Sequence, residues 1–221
     1  MQNPVTFLKD IYRRCRRKYQ TYKFNRYRRL YKSFTFAYKI RMANKWLRQY
    51  PDQSHFDFNP IKFWFEEIVS RPVSVLEIGG WRGVLANKSL SQFEHINLWH
   101  NYDLIEENEY QKCSDRRYKL ITLKDEIWKQ TLNYEYNALI ATHMIEHISW
   151  QELLQLISWI PESIKNVLFE SPLPLSGEKI SWNDDHSSHV LEKGWEQIAA
   201  IMLIRGFTLE HKESNTYIFK R

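Results

Sequence analysis

Apolar and aromatic residues first recur at Leu8, Ile11, Cys15, Tyr19, Tyr22, Tyr27, Leu30 and Phe34. Their spacing is mostly three to four, which predicts a helix with an apolar-aromatic stripe from Thr6 to about Tyr50. Tyr50-Pro51-Asp52-Gln53-Ser54-His55 is a turn or linker. Asn59-Pro60 starts a helix through Phe63, Trp64, Phe65, Ile68 and Val69, stopped before Pro72. The period then changes. Val73-Ser74-Val75-Leu76-Glu77-Ile78 alternates and is rich in β-branched residues, as a buried strand does. Three glycines within five residues break it (Gly79, Gly80, Gly83), and Val84, Leu85, Leu90 and Phe93 resume a helical pattern. Further strands are predicted at 96–102, 118–123, 137–142 and 166–170. A helix begins near Glu126, and Ser149-Trp150-Gln151-Glu152 resembles a capping box opening another that runs to Trp159. An amphipathic helix over 193–205 ends at Gly206, and 207–211 and 216–220 read as two closing strands. Strands alternating with helices predict an α/β domain with a parallel sheet.

Charge divides the chain unevenly. Residues 1–50 hold 15 Lys and Arg against one acid, Asp10, whereas the rest holds 17 basic and 25 acidic residues. The reading is a slightly acidic domain at 59–221 carrying a basic, aromatic-rich helical extension at 1–58. A basic amphipathic helix suits an anionic partner, a membrane surface ahead of nucleic acid. Its alternative is a solvated basic face on a helix docked against the domain. Cys15 and Cys113 fit neither a metal pattern nor a disulfide framework, so a reducing, cytoplasmic setting is expected, with peripheral membrane association through residues 1–50. No apolar run approaches the roughly 18–20 residues of a membrane span.

The candidate chemistry centres on the strand–turn–helix unit. Glycines let a turn pass close to a ligand, and the following helix N-terminus offers N–H groups to it. Asp103 closes the second strand 24 residues after Gly79, where an acid can accept both ribose hydroxyls of an adenosine cofactor. The run Val75-Leu76-Glu77-Ile78-Gly79-Gly80-Trp81-Arg82-Gly83 resembles the first motif of class I S-adenosylmethionine (SAM)-dependent methyltransferases, an acidic residue followed by spaced glycines. Glu77 falls on the acid and Gly79 and Gly83 on the outer glycines, while Trp81 takes the place of the middle one. Its side chain must point away from the cofactor, with Gly80 supplying the close approach.

The resemblance implies a doubly wound, Rossmann-like seven-stranded sheet, mostly parallel with an antiparallel C-terminal strand. It implies S-adenosyl-L-methionine as cofactor and a small-molecule, glycan or lipid-linked acceptor, with O-methylation expected. Asp125, after the third strand, either bonds the adenine amino group, as in the family, or caps the helix near Glu126. His143-Met144-Ile145-Glu146-His147, straight off the fourth strand, resembles a stretch common in small-molecule members and makes His143 a cofactor-binding candidate. The same H-x-x-E-H pattern occurs in zinc peptidases, which need both histidines on one helical face; no metal is expected here. A hydroxyl acceptor needs a base, and His143, His186 and His189 are the candidates, His189 first because it matches the acceptor-side position. The rival readings are a degenerate scaffold that binds no SAM and a binding protein working through its basic arm.

Overall fold

A computed structural model describes residues 36–49, 56–105, 112–171, 191 and 194–221. The predicted stripe before Phe36, together with His186 and His189, lies outside these residues. A seven-stranded sheet organises the rest, in the order β3-β2-β1-β4-β5-β7-β6. Its strands are β1 (Val73–Ile78), β2 (Ile96–Asp103), β3 (Tyr118–Thr122), β4 (Ala138–Thr142), β5 (Asn166–Glu170), β6 (Thr208–Glu213) and β7 (Thr216–Lys220). The first five pair in parallel, and β7 runs antiparallel to both β5 and β6. Strand order therefore reverses beside β1, between β1 and β4. At such a switch point adjacent loops diverge to opposite faces and leave a crevice at the strands' carboxyl ends.

Alternation along β1 sets the two faces. Val73 and Val75 bury into a core with Ile61, Trp64, Phe65, Leu85, Leu90, Phe93 and Trp99. Leu76 and Ile78 bury into the opposite core with Leu139, Leu153, Leu156, Val167, Phe169, Trp195 and Phe207. The first core is covered by α2 (Phe58–Phe63), which runs on as a π-helical turn at Trp64–Ile68, and by α3 (Val84–Gln92). The second is covered by α4 (Trp150–Trp159) and α5 (Trp195–Ile204). The capping box forms as expected: the Ser149 hydroxyl accepts from Glu152 N–H at 3.3 Å, and Glu152 Oε2 accepts from Ser149 N–H at 2.8 Å. The helix expected near Glu126 is shorter than its sequence suggests, a single 3₁₀ turn at Ile127–Lys129. The chain must straighten there to carry Tyr136 into the core, where the ring is buried and its hydroxyl lies 2.7 Å from His100 Nδ1.

The described part of the basic extension is a helix, α1 (Phe36–Gln49), seated on the carboxyl edge of the sheet. Phe36 packs on one core and Ala43 on the other. Lys39 pairs with Glu152 at the start of α4, and Asn44 Nδ2 donates to the Leu104 carbonyl just past β2 at 3.3 Å. Further along, Asp57 N–H donates to Glu170 Oε1 at the end of β5 at 2.9 Å. Among the described residues, no helix is long and apolar enough to cross a membrane.

Candidate active site

The turn after β1 is held in an unusual backbone shape. Gly79, Trp81 and Gly83 have φ of 72°, 54° and 71°. For tryptophan this left-handed conformation carries strain, and the surroundings over-determine it. Two side chains at the carboxyl end of β2 pin the turn. Asn101 Oδ1 accepts Gly80 N–H at 3.0 Å, while its Nδ2 donates to the Trp81 carbonyl and the Tyr118 hydroxyl, both at 3.2 Å. Asp103 Oδ2 accepts Trp81 N–H at 2.7 Å, and its Oδ1 accepts Ile105 N–H at 3.1 Å. Asn101 and Asp103 reach the same turn because residues two apart on a strand share a face.

Glu77 lies beneath the turn, fully buried. Trp99 Nε1 donates to its Oε2 at 2.7 Å, while Oε1 has no partner among the described residues. Burial pushes its carboxyl up to about 8, against the lowering pull of the Trp99 hydrogen bond and with Asp103 adding a raising contribution. This explains Gly80: a Cβ there would fall inside the Glu77 carboxyl group. The space beside Gly79 is taken by Met144, and that beside Gly83 by the Tyr118 hydroxyl, at 2.6 and 2.7 Å from an added Cβ. The close approaches of these glycines are thus made to the chain's own side chains. The Trp81 ring is half-buried against the Phe65–Trp99 core, with its Nε1 buried and without a hydrogen-bond partner among the described residues.

A second group of side chains collects at the ends of β4 and β5. His143, with φ 51°, takes its backbone bond from β5, donating N–H to the Glu170 carbonyl at 2.8 Å. Its Nδ1 is 3.3 Å from Glu146 Oε1 and its Nε2 is 4.0 Å from Glu170 Oε1. The Ser171 hydroxyl donates to Glu146 Oε2 at 2.6 Å. Burial would raise the Glu146 carboxyl, but the His143 contact, the His147 and His143 charges and the Ser171 hydroxyl together hold it at about 2. Glu170 is pushed up by burial, which outweighs its bond from Asp57 N–H. The two histidines of the H-x-x-E-H pattern stand at a strand end and in a 3₁₀ turn (Ile145–His147), not on one face of a helix as a zinc peptidase requires. No group of three or more His, Cys, Asp and Glu among the described residues is placed to hold a metal.

Of the residues the sequence singles out, Glu77, Gly79, Gly80, Gly83 and Asp103 come together at the β1 turn, and Met144 links that turn to His143. Asp125 is held locally, accepting from Glu126 N–H and Lys129 Nζ, each at 2.9 Å. The Glu126 side chain first, then Lys129 and the Glu126 N–H, keep its carboxyl low, at about 2. Asn101, Trp99, Glu170 and Ser171 join the site without having been singled out. Asn101 could have been found from its place two residues before Asp103, whereas nothing local marks Ser171. The acceptor set fits an adenosine cofactor: the Asp103 carboxylate accepts the N–H groups of Trp81, Ile105 and Leu104 and, with about four lone pairs in all, keeps acceptor capacity for a ribose hydroxyl.

No family model and no curated protein matches this chain. Solved structures do. Human N-acetylserotonin methyltransferase, solved in complex with SAM, gives a TM-score of 0.55 at 12% identity over 86% of this chain and 56% of that one. N-methyltransferase NodS from Bradyrhizobium japonicum, solved with S-adenosylhomocysteine, gives 0.55 at 10% identity over 81% of this chain and 98% of that one. An O-methyltransferase family protein from Burkholderia thailandensis gives 0.53 at 9% identity over 84% and 58%. The matches span little more than half the length of the human and Burkholderia proteins. At these identities the likeness is one of fold, and the fold is the Rossmann-like fold of class I methyltransferases. Its neighbours include both O- and N-methyltransferases.

Proposed function

We propose that this protein is a SAM-dependent methyltransferase acting on a small-molecule, glycan or lipid-linked acceptor, with a hydroxyl as the methylated group. The observation that carries the reading is Asp103, a buried carboxylate at the end of β2, bonded to the β1 turn beside the switch point of the sheet. Bound SAM supplies a methyl group on a sulfonium sulfur, whose loss leaves a neutral thioether. The chain's own work is to hold, orient and deprotonate. Asp103 accepts a ribose hydroxyl, and the pinned turn keeps that carboxylate in register. Acceptor and cofactor held in line supply much of the rate. A histidine takes the acceptor's proton. Isothermal titration with SAM tests the reading. Asp103→Ala should weaken binding by about 1.5–3 kcal/mol, the scale of hydrogen bonds to a charged group. Unchanged affinity in the folded variant removes Asp103 from the site. His189→Ala should lower turnover and spare SAM affinity.

A second reading, a methyltransferase-like scaffold that binds no SAM, is favoured by Trp81 in the turn and by glycine spaces already filled from within. Wild-type protein that gives no heat with SAM supports it. Trp81→Gly discriminates further: binding that is kept or improved fits the enzyme, and loss in a folded variant makes Trp81 a direct ligand. The basic residues of 1–50 support peripheral attachment to anionic membrane, with a membrane-proximal acceptor as the corollary.

A further inference from the structure

The buried carboxylate of Glu146 has no assigned role, and three observations give it one. It is 1% exposed, yet its Oε1 is a buried oxygen with no well-aligned hydrogen bond among the described residues. The other oxygen is committed to the Ser171 hydroxyl at 2.6 Å. The nearest ring nitrogen to Oε1 is His143 Nδ1 at 3.3 Å, with His147 Nε2 further off at 4.0 Å. A buried carboxylate oxygen is costly without a donor, so the arrangement calls for a proton on Nδ1. The His143 backbone is held at φ 51° by its bond to β5, and its side chain stays 40% exposed.

We propose that Glu146 is a positioning residue that holds His143 in the Nδ1–H tautomer, turning Nε2 as the proton-accepting atom toward the carboxyl end of β5. Which imidazole nitrogen carries the proton is set by the bond that the other makes. A carboxylate behind Nδ1 turns Nε2 toward Glu170 Oε1, 4.0 Å away. Among the described residues, the charged and titratable groups around the ring are Glu146 and His147 from its own loop, Glu170 from β5, and Asp57 from the start of α2, bonded to Glu170 through its N–H. In catalysis the acceptor's O–H bond breaks, its proton forms an N–H bond at Nε2, and Glu146 offsets the positive charge then on the ring. The oxygen keeps the electron pair with which it attacks the methyl carbon. This rests on the methyltransferase reading, but the tautomer itself does not.

The test is nitrogen NMR of the full chain labelled in its histidine rings, without SAM or acceptor. His143 is assigned by the signals lost in His143→Gln. The spectra are followed upward in pH until the ring shifts stop moving, where the ring is neutral. Wild-type Nδ1 should then show the shift of a protonated nitrogen and Nε2 that of a bare one. In Glu146→Gln, Ser171 keeps the amide oxygen, so the amide N–H faces Nδ1 and the proton should move to Nε2. Glu146→Asp should restore part of the Nδ1–H form, and Ser171→Ala should keep it. An Nε2–H signal in wild-type protein, or no change in folded Glu146→Gln, overturns the proposal. Should Glu146→Gln fail to fold, the wild-type tautomer decides alone. Failure to bind SAM would sink the methyltransferase reading and leave this measurement unaffected.

Discussion

Glu77 and Gly80 depend on each other. The carboxyl of Glu77 is raised from 4.5 to about 8 because burial disfavours its charge more than Trp99 favours it. The folded chain therefore keeps a proton that the unfolded chain releases. Its contribution is fully present below pH 4.5 and is lost as pH rises toward 8, by about 1.4 kcal/mol for each pH unit crossed. Glu77→Gln keeps an acceptor for Trp99 and has no proton to lose. Urea unfolding should therefore show the variant gaining on wild type between pH 4.5 and 8, and parallel curves would place the charge elsewhere. Gly80→Ala drives a methyl group into that carboxyl and should cost about 1–3 kcal/mol, as overpacking does. In a Glu77→Ala background much of this cost should disappear, and a double-mutant cycle measures the coupling. The sequence marks both residues as parts of one motif. That one excludes a side chain from the other becomes visible only when the strand and its turn fold back together.

The clearest element is α4. Its cap could be read from Ser149 and Glu152 because both partners lie within one helical turn. Ser149→Ala should cost about 1 kcal/mol in thermal unfolding. Glu152 does more than cap: one oxygen holds Ser149 N–H and the other pairs with Lys39 of α1. Glu152→Ala should therefore destabilise more than Ser149→Ala and also speed proteolysis within α1. Equal rates of α1 cleavage in the two variants would separate α1 from this tie. The region after Asp125 shows the opposite case. A helical start signal is present at Glu126, but burial of Tyr136 outweighs local propensity and ends the helix after one turn.

At the scale of the molecule, α1 crosses the carboxyl edge of the sheet from Glu152 toward Leu104. Sequence separates the basic extension from the acidic domain by charge, but it does not show that the end of the arm packs on both cores. A chain starting at Phe56 keeps Asp57 N–H for Glu170 and all of α2, so its sheet should fold and still bind SAM. It should melt below the full-length protein, having lost the Phe36, Ala43 and Lys39 contacts. Full-length protein should sediment with anionic liposomes and be released by salt, since basic residues near such a surface contribute about 1 kcal/mol each. The shortened chain should stay in solution. No sedimentation of the full-length protein at low salt would end the membrane reading.

The sequence by itself determined the strands, the helices of the described residues other than the one expected near Glu126, the glycine turn, the acid that ends β2 and the capped start of α4. Each of these is written in residues close along the chain, whose periods of two and 3.6 and whose capping chemistry act locally. Tertiary structure decided what those residues touch. It turned Glu77 under the turn, gave Asp103 the Trp81 N–H, brought Glu146, His143, Glu170 and Ser171 to the neighbouring ends of β4 and β5, and laid α1 across the edge. Such contacts join residues up to 113 positions apart. They depend on strand order and on the crevice it opens, which no local pattern specifies.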